Sequence, residues 1–282
     1  MGKARAHGYN AIMLLILGQG YSGDYVAASA RSAGIEVLGV RRSAATDCIG
    51  FDDPALPDAM ASASHILSSV PPDSASGADP VLVRFGAALN ARGGWVGYLS
   101  STGVYGDTGG AYVDESAPVG AGRRTARSAA DLGWQATGAA IFRLPGIYGP
   151  GRSALDQVRA GTARRVDRPG HRFNRIHVED IAGAVLAAIH AGATGIFNVV
   201  DEAPAEPRHV TEFACGLLGA PMPPLLPIDL AQMSPMARGF WTERRLVAGR
   251  KLGDKLGYRL RHPDYKAGLT AISTTATRQR PA

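Results

Sequence analysis

The sequence predicts an α/β protein with a doubly wound parallel sheet and a small C-terminal lobe. Three observations predict it. Ala11 to Leu17 is uninterrupted and apolar, glycines at 18, 20 and 23 follow it directly, and strand-like segments then alternate with helix-periodic ones as far as Leu144. A strand buried on both faces of a parallel sheet reads as a continuous apolar run, and repeated βα units build such sheets.

After the first strand, Val26, Ala30 and Ala33 fall at helical spacing from Ser22 to Ala33, and Gly34 suits a C-terminal cap before a strand over Ile35 to Val40. Strands follow at His65 to Val70, Trp95 to Ser101 and Ala139 to Leu144, with helices at about Pro80 to Ala91 and Thr125 to Gln135 between them. Beyond Tyr148 come Gly/Arg-rich loops, then a helix over Ile181 to Ala191 with Asp180 as its expected N-cap, a strand at Ile196 to Val200, and a helix near Thr211 to Leu218. The expected division is a dinucleotide-binding unit over 11–150, joined by a strand at 196–201, and a substrate lobe over most of 151–272. Residues 1–10 and 273–282 read as flexible tails.

Composition excludes several classes. No apolar stretch is long enough to span a bilayer, and the short run at Ala11 to Leu17 ends in a glycine loop rather than a small-residue cleavage site, so a cytoplasmic protein with no membrane contact is expected. Cys48 and Cys215 stand far apart with no metal-ligand spacing, so neither a disulfide framework nor a metal site is expected. The net charge of +6 comes with scattered arginines and no nucleic-acid signature, which points to a small anionic ligand rather than nucleic acid.

Gly18, Gly20, Tyr21, Ser22 and Gly23 carry the chemistry of a phosphate loop. The first glycine permits the tight turn, the second lets backbone approach a pyrophosphate, and the third allows close helix-to-strand packing. Helix N-terminal amides then face the anion. At the end of the second strand an NAD site carries Asp or Glu, whereas this chain has Arg41, Arg42 and Ser43. Guanidinium groups suit a 2′-phosphate, so the expected cofactor is NADP(H).

Tyr98-Leu-Ser-Ser-Thr-Gly-Val-Tyr-Gly-Asp107, Arg143-Leu-Pro-Gly-Ile-Tyr-Gly-Pro-Gly-Arg152, Arg175-Ile-His-Val-Glu-Asp-Ile-Ala182 and Asn198-Val-Val-Asp201 together resemble the extended short-chain dehydrogenases/reductases, the epimerase/dehydratase family. The resemblance implies a Rossmann fold. It makes Ser101, with Thr102 as its alternate, the candidate for holding a reacting oxygen beside the nicotinamide. It also makes Val70, Pro71, Pro145, Gly146 and Ile147 cofactor-lining positions, and a homodimer through the helices near Pro80 to Ala91 and Thr125 to Gln135 the candidate assembly.

One departure matters. The family needs a Tyr followed four residues later by Lys, and the matching helix has Arg123 and Arg127 in those places. Arginine does not release its proton at useful pH, so neither can be the general acid or base. Both become candidates for anchoring an anionic substrate, with Arg152 and Arg175, unless Arg127 simply pairs with Asp131 on an exposed face. The pattern is similar to the YeeZ-like group, which lacks the Tyr/Lys pair. His177 and Asp180 read as structural, a strand end and a helix cap. The expectation is an NADP(H)-binding oxidoreductase or epimerase/dehydratase-like enzyme acting on a polar anionic substrate such as a sugar nucleotide. The alternative is an NADP(H)-binding sensor without turnover.

Overall fold

Strand β1 (Met13–Leu17) contains no polar residue, and Leu14, Leu15, Ile16 and Leu17 are wholly buried. In the computed structural model, which describes residues 13–120, 122, 125–229 and 238–278, this strand is central in a seven-stranded sheet. Its side chains alternate between the two faces. Leu14 and Ile16 join the core beneath helices α1 (Tyr21–Ser32) and α6 (Val178–Ala191), while Leu15 and Leu17 join the core on the opposite face.

The sheet is parallel throughout. From β1 the chain moves outward through β2 (Glu36–Arg41) to β3 (Cys48–Gly50) at one edge, and helix α2 (Leu56–Ser62) leads back to β4 (His65–Ser68) on the other side of β1. Helix α3 (Pro80–Ala91), β5 (Trp95–Ser101), the short β6 (Tyr112–Val113), α4 (Thr125–Ala136) and β7 (Ala140–Leu144) follow. The order of reversal places a topological switch point between β1 and β4, where their carboxyl ends open a crevice.

The remaining chain forms the lobe. Strand β8 (Gly146–Tyr148) pairs with β10 (Arg175–His177), and α5 (Ala154–Arg159) begins at a capping box in which Ser153 and Asp156 satisfy each other's backbone amides. Strand β9 (Arg165–Asp167) pairs with β12 (Leu225–Pro227), and β13 (Leu246–Val247) pairs with β6. Helix α6 packs on α1 and β11 (Gly195–Asn198) pairs with β7, so both belong to the sheet. Helices α7 (Pro207–Leu218), α8 (Lys251–Leu256) and α9 (Tyr265–Arg278) complete the order. Tyr148, Leu155, Val210, Tyr265 and Leu269 form the core of the lobe.

Three expectations are corrected. The tail expected from residue 273 is helical to Arg278, because buried Leu269 and Ile272 anchor α9 and its threonine hydroxyls, on Thr274 and Thr275, donate to carbonyls one turn back. Asp180 does not cap α6: His177 is the N-cap, its Nδ1 accepting from Glu179 N at 3.3 Å. The loops after Tyr148 contain α5 and β9. Residues 1–10 and 279–282 lie outside the described residues. Both cysteines are buried and free, and among the described residues no helix is long and apolar enough to cross a membrane.

Candidate cofactor and substrate cleft

The turn after β1 is built by tying one loop to two strands. Gly18 N and Gln19 N both donate to Val40 O at 2.9 Å, and Ser69 Oγ donates to Gly18 O at 2.5 Å. Gly18 has φ +81°, and a Cβ there would stand 2.8 Å from Val70 Cγ2, so the turn excludes a side chain. A Cβ on Gly23 would meet Ile16 Cγ2 at 3.3 Å, the close helix-to-strand approach. Gly20 differs. Its φ of −112° suits any residue, and the nearest atom to a Cβ would be Gly18 O at 3.9 Å. Among the described residues nothing requires glycine at 20.

Gly20 is also the N-cap of α1 and offers no side-chain cap, which leaves the amides of the first turn directed at the crevice. That crevice is a cleft of about 550 Å³. It gathers Gly18, Gly20, Tyr21 and Ser22 from the loop, Pro71 beyond β4, Ser101 and Thr102 at the end of β5, Pro145, Gly146 and Ile147 beyond β7, and Arg127 and Arg152. Val70 and Gly23 stand behind this wall, Val70 against Gly18.

Several residues without a recognisable motif complete the cleft: Phe173, Asn174, Phe240, Arg245 and Val247. Arg245 donates through Nη1 to Gly106 O, and Nη1 and Nη2 both reach Glu243 Oε2 at 3.0 Å. The sequence signal for these residues is weak, since β13 is two residues long and comes to β6 from more than a hundred residues away.

Ser101 Oγ accepts from Gly103 N at 3.1 Å, which leaves its proton free to be donated into the cleft. Thr102 is buried and its Oγ1 donates to Leu144 O at 3.4 Å, so Ser101 is the better placed of the two hydroxyls. Behind them, Ser100 Oγ donates to Asp131 Oδ2 at 2.5 Å, and Arg143 grips the same carboxylate through Nε at 3.1 Å and Nη2 at 2.7 Å. Asp131 therefore pairs with Arg143 rather than Arg127, and Arg127 is left lining the cleft.

The arginines divide. Arg152 lies 5.5 Å over the ring of Tyr21, whose hydroxyl donates to Pro150 O at 3.1 Å; a Cβ on Gly149 would stand 2.5 Å from that hydroxyl. Arg175 is turned away from the cleft, with Nη1 donating to Phe173 O at 3.0 Å and Ala205 O at 3.1 Å. It lines a neighbouring cavity of about 750 Å³ that Arg152 and Arg164 also border. The expectation that Arg175 anchors a substrate together with Arg127 in this cleft is corrected accordingly. Arg41, on β2, donates from Nη2 to Asp24 Oδ1 at 2.8 Å, and Arg42 and Ser43 are exposed beside it; none of the three lines the cleft. Arg123 lies outside the described residues.

Electrostatically, three of the described residues lining the cleft are arginines and none is acidic. Tyr21 is the single tyrosine among them, and burial pushes its phenol up from the ordinary value. Tyr105 donates to Asn198 Oδ1 at 2.7 Å and Tyr148 to Asp264 O at 3.2 Å, while Tyr112 is exposed on β6.

No protein-family model matches the chain. A protein of unknown function from Silicibacter pomeroyi is 37% identical and superimposes with a TM-score of 0.85 over 94% of this chain and 99% of that one. Protein YeeZ of Escherichia coli is 29% identical over 175 residues, which make up 59% of this chain and 58% of YeeZ. In sequence the chain is similar to YeeZ, and in fold to proteins of the epimerase/dehydratase type. A 3-diazoavenalumate denitrifying reductase from Streptomyces is likewise 29% identical over 186 residues, 56% of this chain and 58% of the reductase. The chain thus matches little more than half the length of these two curated relatives. Human epimerase family protein SDR39U1, solved with NADPH, shares the fold at 18% identity, with a TM-score of 0.73 over 93% of this chain and 99% of its own. Helix α4 brings an arginine to the cleft and no tyrosine among its described residues.

Proposed function

We propose that the chain is an atypical extended short-chain dehydrogenase/reductase that holds NADP(H) across the loop at Gly18 to Gly23 and acts as an NADP(H)-dependent oxidoreductase on a polar, anionic substrate. The single observation that carries the reading is the cleft itself: a phosphate loop whose Gly20 is open to a ligand, facing three arginines and no carboxylate among the described lining residues. Fixed positive charge and unpaired first-turn amides favour a polyanion there.

The pyrophosphate would rest on Gly18, Gly20, Tyr21, Ser22 and Gly23, the 2′-phosphate on Arg41, Arg42 and Ser43, and the nicotinamide against Pro71, Pro145, Gly146 and Ile147. When bound, the nicotinamide supplies or accepts a hydride. Ser101 would donate a hydrogen bond to the reacting oxygen while keeping its proton, and Arg127 and Arg152 would balance negative charge on the substrate. A sugar nucleotide fits this charge pattern. Because arginine keeps its proton, the proton that accompanies hydride transfer is exchanged with water or with the substrate. The name of the Streptomyces relative supports turnover.

One observation favours the alternative, an NADP(H) sensor: Tyr21, the tyrosine at the cleft, has its hydroxyl committed to Pro150 O and its phenol shifted up. Absorbance of NADPH with a panel of carbonyl compounds and sugar nucleotides separates the two. Substrate-dependent loss of NADPH is expected; tight NADPH binding with no turnover on any of them leaves the sensor, and no binding removes both.

A further inference from the structure

His177, Glu179 and His262 meet where β10 runs into α6, and none of them lines the cleft. The two imidazole rings lie 3.9 Å apart, centre to centre, at 49°. His262 Nε2 stands 3.0 Å from Glu179 Oε2, and one ligand atom from each of the three residues lies within 4.8 Å of the others. His177 is 2% exposed, and its Nε2 is buried with no hydrogen-bond partner. A buried nitrogen without a partner is a group that the folded chain alone leaves unsatisfied.

The surroundings hold this cluster in place. Asp180 accepts from Arg261 N at 2.6 Å, His262 N at 3.0 Å and the Tyr258 hydroxyl at 2.9 Å, which fixes the segment carrying His262 against the head of α6. Tyr148 sets its ring edge-to-face on His177 at 5.2 Å.

We propose that His177, Glu179 and His262 form a site for a divalent transition-metal ion of the zinc class, which ties the head of α6 to the segment before α9. Two imidazoles and a carboxylate without a thiolate match the zinc class and not the all-oxygen sets of magnesium or calcium. Tetrahedral bonds of about 2.0–2.2 Å set ligand atoms roughly 3.3 Å apart, so the 3.0 Å contact between His262 and Glu179 opens slightly on binding, and Glu179, whose side chain is 42% exposed, is free to adjust. Binding breaks the contact between His262 and Glu179, and any proton held there goes to solvent. If His177 binds through Nε2, its proton shifts to Nδ1 and the 3.3 Å contact from Glu179 N is given up. Water takes the fourth position.

The test uses the full chain stripped with EDTA. Equilibrium dialysis against Zn²⁺ is expected to load a single ion per chain, and Co²⁺ to give the visible bands of a four-coordinate site. Glu179→Gln and His262→Gln are each expected to weaken Zn²⁺ binding at least about tenfold, since even outer-sphere partners of a metal are worth that much. Zn²⁺ is expected to raise Tm in the native chain and not in the variants, with circular dichroism confirming that both fold. No Zn²⁺ binding, a six-coordinate Co²⁺ spectrum, or binding unchanged in both variants overturns the proposal. NADPH affinity, measured in parallel, reports on the cleft separately.

Discussion

Arg41 donates to Asp24 across 2.8 Å, and the same carboxylate oxygen accepts from Gln19 Nε2 at 2.9 Å. One side chain at the head of α1 therefore ties the phosphate loop to the end of β2. The Arg41–Asp24 pair is largely exposed, at 41% and 47%, so solvent screening leaves it little weight in stability. Its consequence is positional. Arg41→Ala is expected to weaken NADPH binding on the order of tenfold, the scale of one charge-assisted hydrogen bond at a surface, with NADH binding unchanged. Fluorescence titration with both nucleotides checks this.

Gly18 and Gly20 separate turn from ligand. Gly18→Ala places a Cβ at positive φ and 2.8 Å from Val70 Cγ2, and is expected to destabilise the fold by about 1–3 kcal/mol. Gly20→Ala meets no protein atom closer than 3.9 Å, so its stability should stay within about 0.5 kcal/mol of the native chain while most NADPH affinity is lost. Urea denaturation alongside nucleotide titration distinguishes the two effects.

The buried pair behind Ser100 and Ser101 gives a stability prediction. Arg143 and Asp131 are 1% and 0% exposed, and Asp131 also accepts from Ser100 and from Gln135 Nε2. Asp131→Ala strands a buried guanidinium and is expected to cost about 3–5 kcal/mol. Replacing both partners, Arg143→Met with Asp131→Leu, should recover most of that loss, because two well-packed apolar groups carry no desolvation penalty. Thermal denaturation of the single and double variants tests the pairing.

Asp201 gives a pH prediction. Its Oδ1 accepts from Arg175 N at 2.9 Å, but its Oδ2 is buried without a partner, and burial raises the carboxyl from 3.8 to about 7. The folded state thus holds a proton that the unfolded chain has already released. That contribution is fully present below about pH 4 and is lost as pH rises through about 7. Asp201→Asn cannot titrate, so its stability relative to the native chain is expected to rise over this interval and level off above it. Denaturant midpoints across the range measure it; a flat difference contradicts the assignment.

Much of this architecture was legible in the sequence, for local reasons. The apolar run before Gly18 has a fate only in a sheet covered on both faces, and the glycine spacing fixes the turn that follows. The polar clusters were not legible. Asp131 is four residues from Arg127, the usual helical spacing for an ion pair, yet it turns inward to Arg143 on β7 because Ser100 and Arg143 reach it from the buried side. Arg175 lies in a segment expected near the cleft, but its pairing with Gly146 on β8 directs its guanidinium to the carbonyls of Phe173 and Ala205. Arg245 carries no motif and reaches the cleft only because β13 pairs with β6. Each of these placements depends on a contact between distant segments, which local periodicity does not report.

The predictions for Arg41 and Gly20 both require that the cleft over Gly18 to Gly23 hold NADP(H). Isothermal titration of the full chain with NADPH and with NADH tests it most directly. A single saturable site per chain is expected, tighter for NADPH than for NADH and weakened by Gly20→Ala in a protein that remains folded. No NADPH binding, or NADPH binding that Gly20→Ala leaves unchanged, contradicts it.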